Sequence, residues 1–196
     1  MIQGGTVRRA DHAIDSIFLD RWSPRAMSGE PLSLEELLSL FEAARWAPSS
    51  GNEQPWRMLF ARRDTPEWPV FFGLLASGNQ IWCVRAAALV MFVSRTLHER
   101  TGCPSVTHSY DTGAAWGQFA LQGYLKGYVV HGMQGFDYER ARRELGIPEE
   151  YAVEAMAAVG RPAPTQVLTA ALQARETPSD RRPLSATVCE GAWRFG

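Results

Sequence analysis

Glu42-Ala43-Ala44-Arg45-Trp46-Ala47-Pro48-Ser49-Ser50-Gly51-Asn52-Glu53-Gln54-Pro55-Trp56 is where the chain changes character most sharply. The first third closes an apolar repeat of helical period, the middle gathers small hydroxyls and amides between two prolines, and Trp56 opens an apolar run. Upstream, Ser33 with Glu36 has the spacing of a capping box, and Leu34, Leu37, Leu38, Phe41 and Ala44 share one face until Pro48 ends the helix. Downstream, residues 56–61 read as a strand. Residues 87–93 are apolar throughout and read as a second strand, buried on both faces.

Further outward, Ile14, Ile17 and Phe18 predict an amphipathic helix over 10–20, ending at Arg21-Trp22-Ser23-Pro24-Arg25 because Pro24 cannot continue it. Residues 68–76 read as a short helix, and Asp111 is placed to cap a longer one over 112–126. Gly113, Gly117 and Gly123 interrupt that helix at about 1 kcal/mol each relative to alanine, which implies close approach of a second element, a ligand or another copy of the chain. Residues 128–133 and 153–159 read as strands, and 137–145 as a short helix closed by Gly146 and Pro148. Helices and strands alternate, so the class is α/β or α+β, in one domain over 1–196 without a boundary. Residues 161–180 are weakly patterned, and Arg181-Arg182-Pro183-Leu184 begins a last short element.

Composition narrows the function. The 196 residues carry 20 Lys+Arg against 21 Asp+Glu, a formal net charge of -1, with 45% hydrophobic and 21% charged residues. Such a balance argues against a nucleic-acid partner, which requires a dense cationic surface. The apolar run 86–93 is less than half of the roughly 20 residues a membrane-spanning helix needs, so no membrane partner is expected. Three cysteines without a C-x-x-C, and no apolar segment after the N-terminal arginines, suggest a cytoplasmic protein without a disulfide framework.

No H-E-x-x-H, Walker A loop, G-x-S-x-G or post-strand G-x-G-x-x-G is present, and His12, His98, His108 and His131 lack ligand spacing, so no metal is expected. Three clusters remain. Arg21, Ser23 and Arg25 offer two guanidiniums and a hydroxyl suited to a phosphate and a polar ring edge. The Pro48–Trp56 stretch concentrates hydroxyls and amides, and Arg181 with Arg182 forms a cationic pair. Taken singly, each has a plainer reading: cations at a helix C-terminus, a turn between helix and strand, and a surface charge pair.

Together these residues resemble the nitroreductase family, with further points of likeness at Gly78-Asn79 and Met133-Gln134-Gly135-Phe136-Asp137. The resemblance spans most of the chain and is weakest over 62–76 and 163–180. It implies an α+β, three-layer α-β-α fold with a mixed central sheet, assembled as a homodimer that binds FMN at its interface. It assigns Arg21 and Ser23, with Arg181 or Arg182, to the FMN phosphate and ribityl end, and Arg25 and Asn79 to the pyrimidine edge. Ser49, Ser50 and Asn52 would reach the flavin of the other subunit, and backbone N–H groups near Gln134 and Gly135 would face flavin N5. Trp22, Pro48, Gln54 and Met133 join the cofactor-contacting set by the same resemblance.

FMN carries a dianion that calls for arginine forks and a ring edge that calls for amides, while reduction places negative charge near N1, where Arg25 would stabilise it. Because the flavin performs the chemistry, no acid-base pair is required and no residue is assigned as catalytic. The implied activity is ping-pong hydride transfer from NADH or NADPH to a nitroaromatic, quinone or similar small-molecule acceptor. Alternatives are a dehalogenase or flavin-consuming enzyme of the same fold, or a flavin-binding dimer without turnover. Two departures stand out: Trp22 replaces a residue that is basic or histidine in many relatives, and Glu53 places a carboxylate in the loop. His131, Met133, Trp82 and Tyr110 are candidates either for lining a pocket or for filling the core.

Overall fold

The computed structural model describes residues 3–195. Four strands, β1 (Trp56–Arg62), β2 (Ala88–Arg95), β3 (Val129–Met133) and β4 (Tyr151–Gly160), form one sheet in the order β1-β2-β4-β3. Every pairing is antiparallel: Leu59 faces Met91, Met91 faces Met156, and Val130 faces Val159. The α+β class therefore holds, while the sheet within the described residues is antiparallel throughout in place of the expected mixed sheet.

The central strand decides the layering. Successive side chains of a strand point to opposite faces, so the unbroken apolar run of β2 supplies two cores. Leu89, Met91 and Val93 join Met27, Phe71, Leu74, Trp82 and Met156 in one cluster, whereas Ala88, Val90 and Phe92 join Leu37, Leu40, Phe119 and Val159 in the other. Over the first lie α3 (Trp68–Leu74), α4 (Ser77–Cys83) and α6 (Tyr138–Glu144). Over the second lie α2 (Leu34–Arg45) and α5 (His108–Leu125), giving the expected three layers. Two single-turn helices, α1 (Ile17–Asp20) and α7 (Ala170–Gln173), complete the set of α-helices among the described residues.

The capping box forms as predicted, with Ser33 Oγ accepting from Glu36 N at 3.1 Å and Glu36 Oε2 accepting from Ser33 N at 2.7 Å. Gly123 of α5 is required by close approach: a Cβ there would meet Val130 Cγ2 at 2.3 Å, so the strand seats against the helix only because the side chain is absent. Gly113 and Gly117, by contrast, have nothing within 4 Å of such a Cβ.

Two further expectations are corrected, and one element is added. The helix over 10–20 shrinks to α1, because Ile14 and Phe18 stay 53% and 60% exposed and bury no stripe that would stabilise a longer one. Asp111 lies inside α5 instead of at its cap; its buried carboxylate accepts from Ser50 N at 3.1 Å and Thr107 Oγ1 at 3.2 Å. Residues 77–83 form α4, whose Gly78 and Asn79 are poor helix formers held by Ala76 N donating to Gly135 O at 2.9 Å.

Glu36 Oε1 also accepts from Tyr128 Oη at 2.8 Å and Arg161 Nη2 at 2.6 Å. The Ser33 backbone N–H, Tyr128 and Arg161 lower the Glu36 pKa from 4.5 to about 2. A carboxyl group with a depressed folded value stabilises above its unfolded value and loses that contribution as pH falls through the folded one. Urea midpoints of wild type and Glu36→Gln should therefore differ most above pH 4.5 and converge as the pH approaches about 2.

Candidate functional site

The segment from Arg21 to Met27 leaves α1 in extended backbone and is shaped by groups from remote parts of the chain. The Arg8 guanidinium donates through Nη1 to the carbonyls of Leu19 (2.9 Å) and Arg21 (3.0 Å), and through Nε to that of Ser179 (2.8 Å). His131 Nδ1 lies 2.9 Å from the Pro24 carbonyl. A carbonyl can only accept, so Nδ1 carries the proton and Nε2 is left as an acceptor. Glu176 Oε1 accepts from the backbone N–H groups of Arg25 (2.6 Å) and Ala26 (2.8 Å), and Ala163 N donates to Ala26 O at 3.0 Å.

These constraints build a cavity of about 300 Å³ lined by Arg8, Arg21, Arg25, Arg175 and Arg181 together with Trp22, Ser23, His131, Thr177 and Ser179. Five guanidiniums face it, and no carboxylate does among the described residues. Burial, then repulsion from Arg8 and Arg181, lowers the Arg21 pKa; burial and Arg181 lower that of Arg8. Burial is also the main reason that His131, whose ring lies tilted against that of Trp82 with centroids 4.6 Å apart, has its pKa lowered to about 4, with Arg25 acting in the same direction. His131 is thus neutral at physiological pH and adds no charge. Like charges held together in this way favour an anion of more than one charge.

Asn79 is brought to Gly135: Asn79 Nδ2 donates to the Gly135 carbonyl at 2.9 Å, and a Cβ on Gly135 would stand 2.7 Å from that nitrogen. Gln134 beside them is exposed. Met133 turns inward, with its Sδ 3.5 Å from Cys83 Sγ, so its side chain belongs to the core and not to the cavity. Trp82 is likewise core, whereas Tyr110 is 81% exposed. Arg181 lines the cavity; Arg182 is not among its lining residues.

The Pro48–Trp56 stretch lies apart from this cavity. Its backbone is strained: Gly51, Asn52 and Gln54 have φ of 57°, 57° and 48°, a region that non-glycine residues occupy at a cost and that clusters at functional sites. Ser49 Oγ accepts from Gln54 N at 3.1 Å, Gln54 Nε2 donates to Asn52 O at 3.1 Å, and the Ser50 bond to Asp111 anchors the loop to α5. Glu53 ties it to the following segment, with Oε2 accepting from Glu99 N at 3.1 Å and Oε1 3.6 Å from His98 Nδ1. Asn52, Glu53 and Gln54 border a second cavity of about 390 Å³ with Arg57, Glu99 and Arg100, and Pro48 is exposed. Within one chain, then, Ser49, Ser50 and Asn52 do not join Arg21, Ser23 and Arg25.

Arg8, Arg175, Glu176, Thr177 and Ser179 are site residues that the sequence did not disclose. They come from the N-terminus and the weakly patterned 161–180 region, and only bonds across as many as 171 positions reveal them.

Comparison with known proteins agrees with this architecture. Residues 19–67, which hold both the Arg21–Arg25 segment and the strained loop, match the model of the nitroreductase family. A crystal structure of an oxidoreductase containing FMN superposes with a TM-score of 0.93 at 42% identity, covering 96% of this chain and 97% of that one. An NADH dehydrogenase of Thermus thermophilus is 27% identical over 90% of this chain and 93% of its own length. The similarity to the nitrobenzene nitroreductase of Ectopseudomonas oleovorans, 43% identical, spans 22% of this chain and 19% of that protein. The chain belongs to the nitroreductase family of oxidoreductases.

The cavity separates the two arginines that the sequence leaves equivalent. Arg181→Ala should weaken stabilisation by inorganic phosphate, followed as the dose dependence of the melting temperature, by at least about tenfold, the loss of one charge-assisted hydrogen bond. Arg182→Ala should leave that dose dependence within about twofold of wild type.

Proposed function

We propose that this protein is an FMN-dependent NAD(P)H oxidoreductase that works as a cytoplasmic homodimer and passes electrons to nitroaromatic, quinone or similar small-molecule acceptors. The observation that carries the reading is the convergence of five guanidiniums and the hydroxyls of Ser23, Thr177 and Ser179 on one cavity, within a family whose 42%-identical member contains FMN. The residues fit the cofactor. A dianionic phosphate relieves the mutual repulsion of Arg8, Arg21 and Arg181, which is the electrostatic problem this cavity poses. FMN, when bound, supplies the hydride chemistry.

Around it, Arg21, Ser23 and Arg181 would hold the phosphate and ribityl end, with Trp22 packed behind them. Arg25 and Asn79 would face the pyrimidine edge, and Arg25 would balance charge that develops near N1. The Asn79 bond to the Gly135 carbonyl fixes the turn at Gln134 and Gly135, whose N–H groups would meet the reacting side of the ring. Ser49, Ser50, Asn52 and Gln54 would serve the partner's flavin, a role supported by their distance from the arginine cavity of their own chain. Phe18, Trp116, Gly117, Ala120 and Leu121 border a cavity of about 390 Å³ beside Arg21 and Ser23, which supports dimerisation along α5. The free thiols Cys83, Cys103 and Cys189 suit a reducing compartment. Donation by NADH or NADPH is supported by the Thermus thermophilus relative named as an NADH dehydrogenase.

Purified protein supplemented with FMN and gel-filtered should retain a two-banded flavin spectrum that bleaches under anaerobic NADH or NADPH. Double-reciprocal plots at several acceptor concentrations should be parallel. A colourless protein removes the cofactor reading, and a retained flavin that neither nicotinamide reduces leaves a binding protein without turnover.

A further inference from the structure

Glu176 is the one buried carboxylate that touches the cofactor segment among the described residues. It follows α7, and its side chain is 2% exposed. One oxygen, Oε1, is fully used by the N–H groups of Arg25 and Ala26. The other, Oε2, is buried without a hydrogen-bond partner and stands 3.7 Å from Arg25 Nη1. Of the five guanidiniums that line the cavity, Arg25 alone forms an ion pair among the described residues.

The cavity therefore has two electrical ends. At Arg8, Arg21 and Arg181 the cations repel one another, which suits a phosphate dianion. At Arg25 a carboxylate behind the guanidinium offsets its charge, and the same carboxylate fixes the backbone from which that side chain projects. Simple bracing would need only Oε1, which an uncharged amide could supply. A buried, unsatisfied carboxylate oxygen is costly to keep, so its retention beside Arg25 calls for an electrostatic role.

We propose that Glu176 is the positioning residue and counter-charge of Arg25, and that the pair sets how readily the bound flavin takes up negative charge. The inference rests on FMN binding at this cavity and goes beyond it by assigning control of the flavin potential to a residue that does not itself line the cavity. With the carboxylate in place, Arg25 presents only part of its charge to the ring. Without it, the full cation favours the reduced, anionic flavin and the midpoint potential rises.

The test uses the FMN-loaded protein and equilibration with redox dyes at pH 7. In Glu176→Gln the amide oxygen still accepts the two backbone bonds, and the ratio of reduced to oxidised flavin at fixed potential should rise about tenfold, about 30 mV for a two-electron couple. The double variant Arg25→Gln with Glu176→Gln removes both charges, a change that folded proteins tolerate better than stranding one partner, and its potential should fall back from that of Glu176→Gln to less than about 30 mV below the wild-type value, the remainder being the part of the Arg25 charge that Glu176 leaves uncompensated. An unchanged potential in Glu176→Gln with only a lowered melting temperature overturns the proposal and leaves a structural brace. Should the single variant not fold, the double variant decides: a fall in potential of about 30 mV or more means that Arg25 acts with its full charge, and the proposal fails. Wild-type protein that retains no flavin overturns the cofactor reading itself, an outcome visible before any potential is measured.

Discussion

Everything at the site depends on the backbone between Arg21 and Met27 being held in a shape that its own sequence does not enforce. The segment is neither helix nor part of the main sheet, so its polar groups must find partners elsewhere. Arg8, His131, Ala163 and Glu176 supply them, the last three from more than 100 positions away. Each partner is itself fixed by a core element or a turn: His131 on β3 against Trp82, Glu176 just after α7. The arginines are thus presented by a scaffold built from both ends of the chain, and their placement requires that the sheet and its two cores already exist.

That scaffold collects charge against its own electrostatic preference. Burial first, and then the mutual repulsion of the clustered guanidiniums, lowers the pKa of Arg8 and Arg21, so an anion would be favoured beside them. Arg25, a few residues on, is treated differently, because Glu176 reaches it from behind. One short segment therefore presents guanidiniums in two settings, clustered with other cations at Arg21 and backed by a carboxylate at Arg25. The second strained region, Gly51 to Gln54, is held by Ser49, Asp111 and Glu53 and lies apart from the arginine cavity of the same chain.

Much of this was legible beforehand. The capping box at Ser33, the doubly apolar β2 and the period of α2 are local patterns with a single good solution, and they alone imply helices on both faces of a sheet. Arg21, Ser23 and Arg25 stand out because two guanidiniums and a hydroxyl within five residues are an unusual local concentration of donors. What failed locally failed for identifiable reasons. Ile14 and Phe18 lie on a helical apolar stripe without a surface to bury it, Asp111 found a better use for its carboxylate than a cap, and α4 forms through contacts with the turn after β3 despite its glycine and asparagine.

The sequence by itself determined most of the elements, the two-faced core strand, and the local donor cluster of Arg21, Ser23 and Arg25, because these follow from side-chain periodicity, proline, capping and local composition within a dozen positions. Only the tertiary structure decided that Arg181 and not Arg182 lines the cavity, that Met133 belongs to the core, and that Arg8, Glu176 and His131 hold the segment from Arg21 to Met27. Those choices rest on hydrogen bonds and ion pairs between groups far apart along the chain. Such bonds leave no periodic trace, since the partner of a buried polar atom is chosen by proximity in space, and that proximity exists only after the apolar faces have packed.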